Sequence, residues 1–208
     1  MKGRRNPFIA REGLPFLLVA AALVAAASVW AGWPWALPAA LLFAWLLLLF
    51  RDPRRVIPAS PLGVVSPVDG HVIEVGVTDK GIVEDEVQRI VLRINSFGTY
   101  TARSPSEGKI MDLRSDQPAG RPRLGTRGLW VRTDEAQDVL LAFRGYRLGL
   151  VPRAFLRYGE RVGQGQRCAY LRLAREAEVQ LPLDSRALVS AGDSVRAGET
   201  LIARLPHP

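Results

Sequence analysis

The chain has 208 residues and a mass of 22.9 kDa, room for one domain of about 150 residues beside a short N-terminal membrane segment. Its formal charge of +8 is carried almost wholly by arginine, since lysine occurs only at Lys2, Lys80 and Lys109. The basic residues are dispersed and no nucleic-acid reader motif occurs, so anionic lipid is the expected partner and nucleic acid is not.

Residues 1–13 are polar and basic, with Lys2, Arg4, Arg5 and Arg11. Leu14 to Ala31 and Ala36 to Phe50 are then free of charge, separated by Gly32-Trp33-Pro34-Trp35. A cleaved signal peptide has a shorter apolar core, of about 7–15 residues. One long core helix would be interrupted at Pro34 and Pro38 and would lack a polar face. The pattern therefore predicts a transmembrane helical hairpin over residues 14–50, its second arm short enough to borrow Trp35, with a single re-entrant or interfacial element as the alternative. Tryptophans at the turn suit the headgroup region. Basic residues outside both arms place the two termini, and whatever follows, in the cytoplasm at the cell (inner) membrane.

After Phe50 the periodicity changes. Short β-branched runs, Val72 to Val75 and Arg89 to Ile94, alternate with Gly, Pro and Asp and read as strands. Two turns match each other, Ser66-Pro67-Val68-Asp69-Gly70 and Ser104-Pro105-Ser106-Glu107-Gly108. Gln117 to Gly128 is rich in Pro, Gly and Arg and is expected to be a loop. Strands resume at Leu129 to Arg132 and Val139 to Phe143. Two copies of GxxVxxG follow, around Val162 and Val195, each preceding a predicted strand, Ala169 to Leu173 and Thr200 to Leu205. Each valine is expected to be buried between glycine turns, a spacing that resembles the barrel-sandwich folds of lipoyl and biotinyl carrier domains. Residues 51–208 are thus expected to form one mainly β domain.

Conventional catalytic sets are scarce. The histidines are His71, after a turn, and His207, in the tail; no HExxH, CxxC or P-loop occurs, so no metal site is expected. Cys168, the single cysteine, excludes an internal disulfide framework and reads as a small buried apolar residue. Asp69, taken alone, reads as an Asp-Gly turn residue.

A sharper expectation comes from a resemblance. Phe50-Arg51-Asp52-Pro53-Arg54-Arg55 followed by Ser66-Pro67-Val68-Asp69-Gly70 resembles the entry to the catalytic domain of the short, membrane-anchored phosphatidylserine decarboxylases. Gly165-Gln166-Arg167, Val179 to Pro182 and the C-terminal GDSVRAGET extend the likeness over nearly the whole chain. The resemblance implies a mainly β, barrel-sandwich-like domain of the phosphatidylserine-decarboxylase type behind the hairpin. It also implies a pyruvoyl group made by self-cleavage at a Gly-Ser bond, with a histidine base supported by the aspartate of SPxDG. In this chain Leu173-Ala174-Arg175 stands where the family has Phe-Gly-Ser. The run from Phe97 to Pro105 places Tyr100 at the histidine. Asp69 is the one retained triad position. Arginine has no nucleophilic oxygen, so the pyruvoyl cofactor implied by the family is not expected here.

The resulting expectation is a membrane-anchored, non-catalytic aminophospholipid-binding or regulatory protein. Arg51, Arg54, Arg55, Arg103 and Arg175 would contact lipid phosphate or carboxylate, and Arg175 would pair with Asp69 or with the headgroup. The alternatives are an active phosphatidylserine (or related lipid) decarboxylase with non-standard processing, and a membrane-tethered scaffold for a protein partner in lipid synthesis.

Overall fold

The computed structural model describes residues 8–82, 86–96, 98–111, 128–145 and 151–207. The chain divides into two compact units, one through Arg54 and one from Arg55.

The first unit is a helical hairpin. A short 3-10 turn, Arg11–Gly13, leads into α1 (Leu14–Ala26), which widens into a π-turn at Ala27–Ala31; α2 spans Trp33–Phe50. Arg11–Trp30 and Trp33–Phe50 are both long and apolar enough to cross a membrane. The outer ends of the arms meet. Phe16 stacks on Phe50 with centroids 5.7 Å apart, and the Ala10 N–H donates to the Phe50 carbonyl at 2.9 Å. Gly13 permits this approach, since a Cβ there would lie 2.3 Å from the Phe50 ring. The connection is tighter than the sequence suggests. Gly32 alone turns the chain, at φ 81°, and Trp33-Pro34-Trp35 forms the first turn of α2, where proline needs no intrahelical N–H partner. Pro38 lies inside α2 beyond its first turn, where it removes one i→i−4 hydrogen bond while the helix continues.

The second unit is mainly β. Its strands are β1 (Gly63–Val65), β2 (Gly70–Thr78), β3 (Val87–Ile94), β4 (Thr101–Arg103), β5 (Gly108–Met111), β6 (Gly128–Arg132) and β7 (Asp138–Arg144), followed by β8 (Arg153–Ala154), β9 (Arg161–Val162), β10 (Arg167–Tyr170), β11 (Glu176–Pro182), β12 (Arg186–Ala187), β13 (Ser194–Val195) and β14 (Leu201–Arg204). Among the described residues all strand pairings are antiparallel: eight strands form a sheet in the order β13-β2-β3-β11-β7-β6-β5-β9, beside two three-stranded sheets, β1-β14-β12 and β4-β10-β8. Val64, Val72, Ile90, Leu92, Leu141, Val179, Leu181 and Ile202 are among the residues of one apolar core. The Pro/Gly/Arg-rich stretch expected to be a loop lies outside the described residues except for Gly128, which opens β6.

The matched motifs are two halves of an internal repeat. Ser66 Oγ donates to the Val68 carbonyl at 2.7 Å, and Ser104 Oγ to the Ser106 carbonyl at 2.8 Å. The two turns clasp each other: the Val65 N–H donates to the Pro105 carbonyl and the Arg103 N–H to the Pro67 carbonyl, both at 2.8 Å. Each turn ends on a glycine that opens a strand against one GxxVxxG copy, Gly70 opposite Val195 and Gly108 opposite Val162. A Cβ would fall 1.9 Å from the Arg93 carbonyl oxygen at Gly70 and 2.3 Å from that of Arg132 at Gly108, so both positions exclude side chains. Val162 and Val195 are both buried, as expected.

One strand boundary differs. The run Ala169 to Leu173 does not continue as a strand: β10 ends at Tyr170 and the chain reverses over Leu171 to Ala174. The reversal is made by Arg172 and Leu173, both at positive φ.

Candidate functional site

The site is built on backbone hydrogen bonds that gather three distant segments. Consecutive N–H groups at the end of β3 do most of this: Ile94 donates to the Arg175 carbonyl and Asn95 to the Asp69 carbonyl, both at 2.8 Å. The Tyr100 carbonyl accepts from Leu171 N–H at 3.0 Å, which ties the third segment to the turn before Arg175. The positions singled out from the sequence, Asp69, Tyr100 and Ala174-Arg175, therefore share one end of the β unit.

Asp69 is saturated. Oδ1 and Oδ2 accept from one guanidinium nitrogen of Arg55 at 2.9 and 2.7 Å. Oδ2 also accepts from the Thr99 N–H at 3.1 Å and Oδ1 from the Ala197 N–H at 2.8 Å. Arg55 additionally lies 3.6 Å from a Glu199 carboxylate oxygen. The partner of Asp69 is thus Arg55 and not Arg175. One carboxylate ties together the junction after the hairpin, the first Ser-Pro turn, the segment before Tyr100 and the second GxxVxxG copy.

The Tyr100 ring is half-buried and lies 5.9 Å from Tyr170, whose ring is in turn 5.1 Å from Phe155. This aromatic row had no signal in the sequence, because Tyr170 ends β10 and Phe155 follows β8, with no shared periodicity. Beyond it, the Ala174 N–H donates to the Leu171 carbonyl at 2.9 Å, and Arg172 and Leu173 have φ of 45° and 67°. Both central residues of this tight turn are left-handed without being glycine, a costly geometry that hairpins usually give to Asn-Gly. Arg175 immediately precedes β11. Its N–H donates to the Arg144 carbonyl at 3.2 Å, and its side chain is exposed.

The other arginines are dispersed. Arg51 and Arg54 are exposed and belong to the hairpin unit. Arg103 is buried at 1 % exposure, and its Nη1 donates to the Gly165 carbonyl at 2.9 Å. Gly198 makes room for it, since a Cβ there would lie 2.9 Å from Arg103 Cδ. Cys168 is buried on β10; burial pushes its thiol pKa up, and the nearby Arg103 charge pulls the other way. Phe97 lies outside the described residues.

The chemistry offered at this end is a guanidinium at 175, a phenol at 100 and a carboxylate already neutralised by Arg55. A pyruvoyl group requires a residue with a hydroxyl or thiol at the cleavage point. The alanine-arginine pair between the strained turn and β11 does not fit that requirement.

No protein-family model matches the chain. Among solved structures, the glucose permease IIA from Mycoplasma capricolum aligns with a TM-score of 0.48 and 13% identity, over 68% of this chain and 94% of that one. The chain is 33% identical over 209 residues, 95% of each chain, to the phosphatidylserine decarboxylase proenzyme of Nitrosomonas europaea. It is 32% identical to that of Aromatoleum aromaticum over 97% of each chain, and 33% identical to that of Burkholderia ambifaria over 96% of this chain and 97% of the relative. The chain belongs to the phosphatidylserine decarboxylase family.

Proposed function

We propose that this chain is a membrane-anchored member of its family that remains a single polypeptide and binds an aminophospholipid headgroup without turning it over. The relatives' names place them at phosphatidylserine, a membrane lipid. The observation that carries the reading is Arg175, an exposed guanidinium beside the turn that holds the Tyr100 carbonyl, at the position aligned with the family's reactive serine. A guanidinium fork suits a carboxylate or phosphate, and it cannot attack a peptide carbonyl. Tyr100 stands where the family has a base, and it offers a phenol in place of the imidazole. Arg55 and Arg103 are engaged within the β unit, so headgroup contact falls to Arg175, with the exposed Arg51 and Arg54 available to lipid phosphates. The β unit and both termini are assigned to the cytoplasmic side of the inner membrane, on the basic flanks of the hairpin.

The test uses the full chain in detergent. Its intact mass should match an uncleaved polypeptide. Glycerophosphoserine should bind, and Arg175→Ala should weaken that binding more than binding of glycerophosphoglycerol. Two fragments on a denaturing gel would instead favour an active decarboxylase with its own mode of processing. An unchanged affinity in the variant would leave the protein-scaffold role as the better account.

A further inference from the structure

A separate basic feature lies on the sheet β1-β14-β12. Arg186 on β12 is the direct cross-strand partner of Arg204 on β14, whose partner on the other side is Gly63. The next rung, Ala187, Ala203 and Val64, faces the core, so the arginine rung faces solvent. Both guanidinium groups are exposed, and neither has a carboxylate partner among the described residues. Like charges placed directly opposite destabilise an antiparallel pair. Gly63 offers no side chain to separate or screen them. Asp184, in the turn before β12, is exposed and makes no ion pair with either among the described residues. Two exposed large apolar side chains lie near Arg186 in the chain: Leu183 on the preceding turn is 41% exposed, and Leu188 just after β12 is 46% exposed.

We infer that this rung is a docking face for anionic phospholipid. Paired guanidinium groups take phosphates, and leucines beside them enter the boundary between headgroups and acyl chains, the combination that holds peripheral segments on acidic membranes. The occupant is a lipid surface and not a free anion, because exposed leucines lie near Arg186 in the chain and a free phosphate would leave them in water. The same chain carries two helices long and apolar enough to cross a membrane. The inference rests on membrane association alone and is independent of the headgroup reading at Arg175.

The experiment uses the full chain in lipid nanodiscs, with an environment-sensitive fluorophore on Leu188→Cys; buried Cys168 is left in place, and the unsubstituted chain serves as the labelling control. In discs containing phosphatidylglycerol the probe should shift to the blue and be quenched by lipids carrying a nitroxide near the headgroup. In discs of phosphatidylcholine alone both signals should be lost. Arg186→Glu combined with Arg204→Glu should abolish them in acidic discs, whereas Arg196→Glu, which reverses an exposed charge elsewhere, should not. Arg175→Ala should leave them unchanged, and the double variant should retain glycerophosphoserine binding, so the two readings fail separately. Equal signals in acidic and neutral discs, or equal losses with Arg196→Glu, would overturn the inference.

Discussion

Asp69 and Arg55 are joined through both carboxylate oxygens at 2.9 and 2.7 Å, with side chains 15% and 11% exposed. Two backbone N–H groups, of Thr99 and Ala197, complete the shell of the carboxylate. The acid that the family places in its triad is here the clasp of four chain segments. Asp69→Ala should therefore destabilise the β unit by roughly 2–4 kcal/mol, since it leaves a poorly exposed guanidinium and two N–H groups without their acceptor. Arg55→Met should cost less, because Asp69 keeps its two N–H donors. Melting of the full chain in detergent, followed by circular dichroism, measures both; a near-neutral Asp69→Ala would mean the carboxylate is not structural.

Leu173 offers a test in the opposite direction. At φ 67° it occupies the left-handed region, and its side chain is 45% exposed, so little burial is lost on removing it. Leu173→Gly should stabilise by about 0.5–1 kcal/mol, relieving the left-handed cost less the entropy that glycine adds to the unfolded chain. The expected readout is a rise in melting temperature of about 1–4 °C. A fall would show that the Leu173 side chain packs more than its exposure implies.

The paired Ser-Pro turns and GxxVxxG copies were legible in the sequence for one physical reason. Gly70 and Gly108 sit where a strand carbonyl approaches too closely for a Cβ, so the requirement leaves the same residue at the same offset in both halves. The two apolar arms were legible because charge is absent over their length. The clasp on Asp69 was not, since Arg55 lies in a stretch with no periodicity and reads equally well as a lipid contact. The end of β10 was hidden too. Leu171-Arg172-Leu173 alternates like a strand, and its reversal carries none of the Gly or Asn that normally mark a left-handed turn. Tyr100 and Arg175 could be located from the sequence, but their shared anchoring through Ile94 and Leu171 is a property of register between strands.

Val195 is 3% exposed in the core beside the glycine turn that receives Asp69. Val195→Asp should destabilise by about 3–5 kcal/mol, because a buried carboxylate without a partner is strongly unfavourable. Val162→Asp, its counterpart in the other half, should behave alike. Loss of the β signal in circular dichroism at lower temperature is the expected result for each, and tolerance of either would place that valine outside the core.

Cys168 links burial to pH. Its folded-state pKa is raised, so the folded thiol keeps its proton where the unfolded thiol releases it. The stabilising contribution is complete below the ordinary thiol range and is lost as pH rises through it toward the folded value. The full chain should resist iodoacetamide at pH 8 and react once denatured. Cys168→Ala should lessen the decline of stability between pH 8 and pH 10; an unchanged decline would assign it to other groups.

The last prediction addresses chemistry at the Tyr100 and Arg175 positions. Self-cleavage couples attack by a hydroxyl to removal of its proton, so supplying one function without the other should do nothing. Arg175→Ser alone, or Tyr100→His alone, should leave a single polypeptide. Ala174→Gly, Arg175→Ser and Tyr100→His together restore the attacking hydroxyl, the small preceding residue and the base. The geometry is favourable in two respects: Ile94 already fixes the carbonyl of residue 175, and Leu171 fixes that of residue 100. It is unfavourable in a third, since Asp69 is held by Arg55 and would have to support the new imidazole from within that ion pair. Slow, partial cleavage between residues 174 and 175 is therefore expected in the triple variant, seen as two fragments by gel and mass. Adding Arg55→Gln, which frees the carboxylate, should raise the cleaved fraction if the variant still melts cooperatively. Cleavage of the unsubstituted chain, or of Tyr100→His alone, would show that another nucleophile serves this site and would overturn the reading of Arg175 as a binding residue.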